Sequence, residues 1–358
     1  MSSGGRDRVR PGPARTRGSE TTSSRRDRRI MTVQIPRPAT EKAKGRARTT
    51  PPPPPGRHRK AQGSAGALPY LLLLPALAIT AVLLGYPLVK NGILSFQKLG
   101  MKELIQHLTE WNGFDNYSDV LGGEDFWRVT LRTVVFTAVN VTLIMVLGTL
   151  VGLLLARLGR KMRLTLMMAL VLAWAMPIIA ATTVYQWLFA ERYGVVNWIL
   201  DKLGWHSMAD YSWTSSQFST FFVITVMLVW TSIPFVAINL YAATTTIAKE
   251  LYEAAGLDGA GAWRTFTSVT LPFIKPFLLA TTFLEVIWIF KAFPHVYAIN
   301  GGGPDRLTET LPVYAFVEGV GNQHYGMGAA ISVLTILVLM GLTSYYIRMV
   351  MKQEREDS

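Results

Sequence analysis

The chain has no cysteine and little charge for its length of 358 residues. Only 16% of its residues are charged, against roughly 25% in an average soluble domain. Without cysteine, a disulfide framework, a thiolate metal site and a cysteine nucleophile are all excluded. Half of the residues are hydrophobic, so the chain is short of polar surface and the placement of its apolar residues decides its class.

The excess of positive charge is confined to the first 60 residues, which contain 17 Lys or Arg and 4 Asp or Glu. The rest of the chain contains 19 of each sign, so no basic folded face is available to bind nucleic acid. Because residues 1–62 combine this charge with few apolar groups, we predict a disordered cytoplasmic tail lying against anionic lipid. A docking or regulatory arm is the alternative, and Met31 stays open as the true start.

Six stretches are apolar over a length sufficient to cross a bilayer, which takes roughly 20 residues. They are Leu68–Val89, Val129–Ala156, Leu164–Phe189, Phe218–Ala243, Phe273–Tyr297 and Gly328–Ile347. A soluble protein with buried helices would not sustain six such runs. We therefore predict an all-α membrane protein with a six-span domain over 63–352 and a short cytoplasmic C-terminal tail over 353–358.

Basic residues in the short loops predict the orientation. The loop between the second and third stretches has four basic residues and no acid: Arg157, Arg160, Lys161 and Arg163. The loop between the first two stretches is net acidic. Both termini and the long segment over 244–271 are therefore expected in the cytoplasm, with the chain embedded in the cytoplasmic membrane.

The long cytoplasmic segment has the pattern of a helix, a turn and a second helix. Lys249 to Leu257 is a helix-forming stretch with an acidic first turn. Gly256, Gly259 and Gly261 predict a turn or a close backbone contact. A second short helix is expected to pass through Trp263 and to end near Leu271-Pro272.

This segment resembles the EAA loop of bacterial ABC importer permeases, and its fuller form is similar to the carbohydrate-uptake branch. The matching residues are Tyr252, Glu253, Ala254, Ala255, Asp258, Gly259, Ala260, Phe266, Leu271, Pro272 and Pro276. The resemblance extends to Trp230-x-x-x-Pro234-Phe235 and to Asn300-Gly-Gly-Gly-Pro304, which is similar to the outer loop of the maltose-type and glycerol-phosphate-type permeases.

The resemblance implies the type I importer permease fold, in which the loop forms a coupling helix that docks on an ATP-binding subunit. The implied coupling residues are Glu253, Ala254, Ala255, Asp258, Gly259 and Ala260. The implied partners are a second homologous permease, a dimer of ATP-binding cassette subunits, an extracellular solute-binding protein or lipoprotein, a sugar, and membrane lipid. ATP is expected on the partner, and this chain is expected to need no cofactor and to be no enzyme.

Polar and aromatic side chains within the spans are the candidates for the substrate pathway. A charge at the bilayer centre costs about 2.5–3.5 kcal/mol on insertion scales, so Glu285 is expected to point into the helix bundle. Sugars are bound by aromatic faces together with polar groups, a description that fits Trp288, Tyr297, Asn239, Tyr241, Gln186 and Trp187. Among all of these, Asn239, Glu285 and Trp288 are the leading candidates, while Asn140 is expected to form an interhelical hydrogen bond.

The sequence motifs do not support nucleotide binding or metal binding by this chain. The chain contains no phosphate-binding Gly-x-x-x-x-Gly-Lys-Ser/Thr run, and its five histidines lack metal-ligand spacing. Three alternatives stay open: a glycerol-phosphate or polyol importer with Arg132 as the candidate phosphate ligand, a non-transporting membrane scaffold or sensor, and a proton-coupled carrier working through Glu285. The cargo favoured here is a di- or oligosaccharide.

Overall fold

The computed structural model describes residues 68–108 and 110–356, which are helical almost throughout. The predicted tail over 1–62 lies outside these residues. The helices in chain order are α1 Leu68–Thr80, α2 Tyr86–Leu94, α3 Met101–Ile105, α4 Asp115–Gly122, α5 Glu124–Arg157, α6 Arg160–Trp174, α7 Ile178–Leu188, α8 Val195–Lys202, α9 Gln217–Thr244, α10 Lys249–Leu257, α11 Ala262–Thr265, α12 Leu271–Phe290, α13 Phe293–Asn300, α14 Leu311–Phe316 and α15 Tyr325–Glu356.

Short irregular elements join these helices. Three π-helical turns cover Ala81–Gly85, Phe266–Thr270 and Val317–Gly321, and a 3-10 turn covers His206–Met208. The strands β1 (Gln97–Lys98) and β2 (Glu110–Trp111) form a small antiparallel hairpin. The prediction of an all-α membrane fold is confirmed.

Five helical stretches among the described residues are long and apolar enough to cross a membrane. We call them span one (Leu72–Leu94), span two (α5), span four (α9), span five (Ala262–Asn300) and span six (Tyr325–Lys352 of α15). Span three is α6 with α7, which bend by 96° at the break between them. The prediction of a continuous third span was wrong. Hydropathy does not report bends, and Pro177 at the break has no N–H with which to continue the ladder of α6.

The contacts between spans establish that the broken third span crosses once. The Asn140 amide of span two lies 3.3 Å from the Thr225 hydroxyl of span four, and Gly152, twelve residues on, faces Ala237 and Leu240. Residue numbers rise together along both helices, so spans two and four are parallel. The chain between them must return across the membrane, which makes α6 and α7 together the sixth crossing.

Three groups of buried apolar side chains hold the described body together. The largest lies among spans two, four and five and includes Ile144, Met227 and Val236. A second group joins the outer parts of spans two, five and six. The third, formed by Ala243, Ile247 and Ile274, lies where the long segment between spans four and five begins and ends.

Spans two and four approach most closely along two glycines. A Cβ on Gly148 would lie 2.6 Å from the Val236 Cβ, and one on Gly152 would lie 2.9 Å from the Ala237 carbonyl oxygen. The Gly-x-x-x-Gly spacing puts both on one face of the helix and lets the backbones meet, as is common between membrane helices. We call this contact the glycine seam.

Candidate functional site

The segment between spans four and five begins as a helix and turns at a glycine. Helix α10 has the predicted bounds, Lys249–Leu257. Gly259 then adopts φ +70°, a left-handed conformation that costs an L-residue roughly 1–2 kcal/mol. Gly256 lies inside α10, so its assignment to the turn was wrong. Only Gly259 has the positive φ that requires glycine in this turn.

The second helix of the segment does not end at Leu271-Pro272 as predicted. Helix α11 passes through the π turn Phe266–Thr270 directly into α12, which begins at Leu271. Proline is tolerated there because the π turn directly before it replaces the regular helical hydrogen-bond pattern at the point where Pro272 has no N–H to donate. The segment is thus joined to span five by unbroken helix.

The segment is packed at its base, around Tyr252 and Thr270, and exposed at its tip, around Leu257 and Trp263. The Tyr252 hydroxyl lies 3.2 Å from the Thr270 hydroxyl, which ties α10 to the π turn. Leu257 and Trp263 are 91% and 76% exposed. Large apolar side chains outside the membrane are rarely left so exposed to water unless they mark an interaction site. Of the six predicted coupling residues, four are exposed and two are half-buried: exposed Glu253, Ala254, Asp258 and Gly259, and half-buried Ala255 and Ala260.

The fold brings the pathway candidates to the facing surfaces of spans four and five. The Trp288 ring of span five lies 4.8 Å from the Phe235 ring of span four, centroid to centroid. Phe235 also stacks on Trp174, at 6.5 Å, where span three breaks. The Asn239 amide donates to the Phe235 carbonyl and, like Trp288, is half-buried. The Phe235 ring therefore contacts aromatic rings of spans three and five, and the Asn239 amide lies one helical turn from Phe235 on span four.

Glu285 lies one helical turn from Trp288 and is fully buried in the bundle, as the sequence predicts. Neither carboxylate oxygen has a hydrogen-bond partner of standard geometry within the described part of the chain. The hydroxyl of Ser232, on the facing side of span four, is the polar group beside it. Ser232, Phe235 and Asn239 share one stripe of span four because they are three and four residues apart.

Several other polar candidates prove to have structural contacts. Gln186 donates to the carbonyls of Ala298 and Ile299 at 2.7 and 3.1 Å, which joins the outer ends of spans three and five. Asn140 makes the expected interhelical bond to Thr225. Among the aromatic candidates, Tyr297 packs in a cluster of three rings with Phe293 and Phe316, and Trp187 is exposed.

Sequence reasoning missed the link at the inner end of spans two, three and four. The Arg163 guanidinium donates to the carbonyls of Leu155 and Leu158 and, at 2.9 Å, to the Tyr241 hydroxyl. It also lies 5.3 Å from the centroid of the Tyr241 ring. Arg163 thereby caps the end of span two and holds it to span four, three residues before span four ends at Thr244. A basic residue in a cytoplasmic loop signals orientation only, so nothing in its sequence context indicated this role.

Arg132 lies at the outer end of span two, where it is part of a network in the outer loop. It donates to the carbonyls of Arg306 and Glu309 at 2.9 and 3.1 Å. The Arg306 guanidinium in turn donates to the carboxylates of Glu309 and Glu318 at 2.8 and 2.7 Å. Burial raises the pKa of Glu309. Burial also acts to raise the pKa of Glu318, but hydrogen bonds from Asn322 and Arg306 outweigh it and hold that pKa low.

Comparison with known proteins decides the family. A profile of the binding-protein-dependent transport system inner membrane component matches residues 148–351. The chain belongs to this family. Its members are transport permeases of the inner membrane, so the resemblance seen in the EAA segment, the membrane location and the absence of an enzymatic role are confirmed. A binding-protein-dependent system also implies partner subunits.

Two relatives and one solved structure illustrate the similarity. The permease is 72% identical to the diacetylchitobiose uptake system permease protein DasB of Streptomyces coelicolor, over 91% of this chain and 100% of the relative. It is 33% identical to the trehalose/maltose transport system permease protein MalF of Thermococcus litoralis, over 78% and 92%. A bacterial ABC transporter that imports the acidic polysaccharide alginate has the same fold, with a TM-score of 0.69, 20% identity, and coverage of 80% of this chain and 95% of that one.

Proposed function

We propose that this permease moves a disaccharide of the diacetylchitobiose class across the cytoplasmic membrane, driven by ATP hydrolysis in a partner subunit that docks on the segment 244–272. The observation that carries the proposal is the exposed tip of that segment, around Leu257 and Trp263, next to a helix that runs without a break into span five. The cargo class rests on the 72% identity to a diacetylchitobiose permease. The remaining partners are a second homologous permease and an extracellular solute-binding protein.

The docking surface combines apolar and acidic groups. Leu257 and Trp263 supply apolar area that a cleft on the partner would bury. Exposed Glu253 and Asp258 flank Leu257 and fit basic groups of the partner, while the small side chain of Ala254 allows close approach. ATP itself is bound by the partner, so this chain carries no cofactor.

The proposed pathway lies along the facing surfaces of spans four and five. The rings of Phe235 and Trp288 offer faces to the C–H patches of pyranose rings, and the Asn239 amide offers a donor and an acceptor to hydroxyl or acetamido groups. Glu285 is closed off in this conformation. Its contact with cargo requires spans four and five to part.

The decisive experiment uses the full importer in lipid vesicles with its binding protein. Glu253→Lys should leave the permease inserted but lower cargo uptake and cargo-stimulated ATP hydrolysis by at least about tenfold, because 1.4 kcal/mol lost on docking is tenfold in affinity. Asp119→Lys, the same charge change on exposed helix α4 at the outer side, is the matched control and should retain uptake. Normal uptake by the Glu253 variant would refute the docking assignment.

The alternatives make different predictions in the same vesicles. A scaffold or sensor would show ATP hydrolysis that does not respond to loaded binding protein. A proton-coupled carrier would take up cargo under a pH gradient without ATP and lose that uptake in Glu285→Gln. A phosphate cargo lacks support at Arg132, because that guanidinium is bonded to the outer-loop carbonyls.

A further inference from the structure

The outer segment between spans three and four exposes a set of large apolar side chains. Tyr193, Trp198, Leu203 and Trp205 are all more than half exposed. They lie on and around α8, a helix of eight residues that belongs neither to the segment 244–272 nor to the proposed pathway. Soluble surfaces rarely gather so many large apolar groups in one short segment without a partner.

The burial pattern of α8 is inverted relative to a helix that faces water. Its polar Asn197 is 1% exposed, whereas the neighbouring Trp198 is 62% exposed and Ile199 is also exposed. A water-facing helix buries its apolar stripe and exposes its polar side. The inversion fits a helix whose outward face meets an apolar medium.

Hydrogen bonds hold α8 in this inverted orientation. The Asn197 amide donates to the carbonyls of Glu191 and Tyr211, both at 2.9 Å. The Trp213 indole N–H donates to the Asn197 side-chain oxygen, and the Trp213 ring packs edge-on against Phe189 at the end of span three. Because the amide is fully bonded inward, rotating Trp198 inward would leave buried polar groups unpaired.

The segment is continuous with the lipid-facing surface at both ends. Trp187, in the last turn of α7, and Phe218, in the first turn of α9, are exposed where spans three and four leave the membrane. Trp and Tyr concentrate at this depth because their rings are amphipathic. Residues 190–216 carry three acidic and two basic side chains, which gives no strong single-sign patch for a charged protein partner.

We propose that α8 and the residues around it form an anchor that lies in the outer lipid interface, with Trp198, Leu203 and Trp205 inserted among the lipids. The anchor holds the outer end of broken span three at a fixed depth, through Asn197 and the Trp213–Phe189 contact. Its ligand is the lipid surface, not the cargo or the solute-binding protein.

The absence of cysteine makes the test direct, since each introduced thiol is the only one in the chain. Trp198→Cys, Ile199→Cys and Leu203→Cys would be labelled singly with an environment-sensitive fluorophore in the complete importer, reconstituted in phosphatidylcholine–phosphatidylglycerol vesicles. Asp119→Cys, on exposed outer helix α4, is the aqueous control. Retained uptake by the labelled importer shows that each variant is folded.

We expect the labels at 198, 199 and 203 to emit at shorter wavelength than the control, to be quenched by nitroxide-bearing lipids, and to resist quenching by aqueous iodide. Quenching by iodide as strong as at position 119 would overturn the proposal, since the face would then be in water. Protection from both iodide and nitroxide lipids would also overturn it, because a protein partner would then cover the face.

Discussion

A series of substitutions at Gly259 tests whether docking of the ATP-binding subunits depends on the backbone conformation of the turn or only on its side chains. A Cβ built on Gly259 meets no atom within 4 Å, so added side-chain bulk has no steric consequence within this chain. The cost of a substitution comes from φ +70°. For most L-residues that cost is roughly 1–2 kcal/mol, whereas asparagine tolerates the left-handed region better than other residues.

If the partner recognises the turn in this conformation, the strain reduces docking affinity. A cost of 1–2 kcal/mol corresponds to about a fivefold to thirtyfold loss. We therefore expect affinity for the isolated ATP-binding subunits to fall in the order Gly259, Gly259→Asn, Gly259→Ala.

Gly256→Ala is the matched control. Gly256 is helical and also has free space around a built Cβ, so alanine should stabilise α10 by up to about 1 kcal/mol and leave docking intact. The assay is titration of the ATP-binding subunits onto permease in nanodiscs, with ATP hydrolysis measured in parallel. Equal affinities for the Asn and Ala variants at position 259 would refute the backbone argument.

Three further predictions follow from contacts elsewhere in the fold. Gly152→Leu should separate spans two and four, because its side chain would meet the Ala237 carbonyl; a drop in melting temperature of the purified permease much larger than that of lipid-facing Leu150→Ala would be expected, and equal drops would argue against the glycine seam. Arg163→Met should lower uptake more than Arg160→Met, since Arg163 alone of this pair has carbonyl and Tyr241 contacts among the described bonds; equal uptake would remove the linking role. Arg306→Met removes the ion-pair partner of buried Glu309 and should lower the melting temperature; the added change Glu309→Gln should restore part of it, and no restoration would show that the pair is not coupled.

The sequence was sufficient for the features that depend on composition and on short contiguous motifs. Five continuous spans follow from runs of apolar residues, and α10 follows from its helix-forming stretch and acidic first turn. The burial of Glu285 follows from the cost of a charge in lipid. Each of these features depends only on the composition of one segment and on whether lipid or water surrounds it. Both can be inferred from a single sequence.

The features that were missed depend on how two segments meet. The rule that proline ends a helix failed at Pro272 because the π turn before it accommodates the ring. The break in span three was missed because an apolar run has the same hydropathy whether straight or bent. Arg163 and Trp174 acquire their contacts from Tyr241 and Phe235, more than 60 residues away along the chain, and no local pattern announces such a pairing.

The helix of span five is a direct route by which motion at the membrane surface would reach the cargo pathway. The segment 244–272 connects the two spans whose facing surfaces carry Phe235 and Trp288. Between Ile274, at the base of the segment, and Trp288 lies unbroken helix of about 20 Å at 1.5 Å per residue. A displacement of α11 is therefore transmitted along span five without an intervening loop.

Span four receives the same displacement under a different constraint. Its inner end is held to span two by Arg163 and the glycine seam, whereas span five has no comparable glycine contact among the described residues. Tight packing favours discrete arrangements over continuous deformation. Span five should consequently move relative to a rigid pair of spans two and four, opening the Phe235–Trp288 contact and exposing Glu285. A distance between labels on spans four and five that changes with nucleotide, while one between spans two and four stays constant, is the expected result; the opposite pattern would contradict this mechanism.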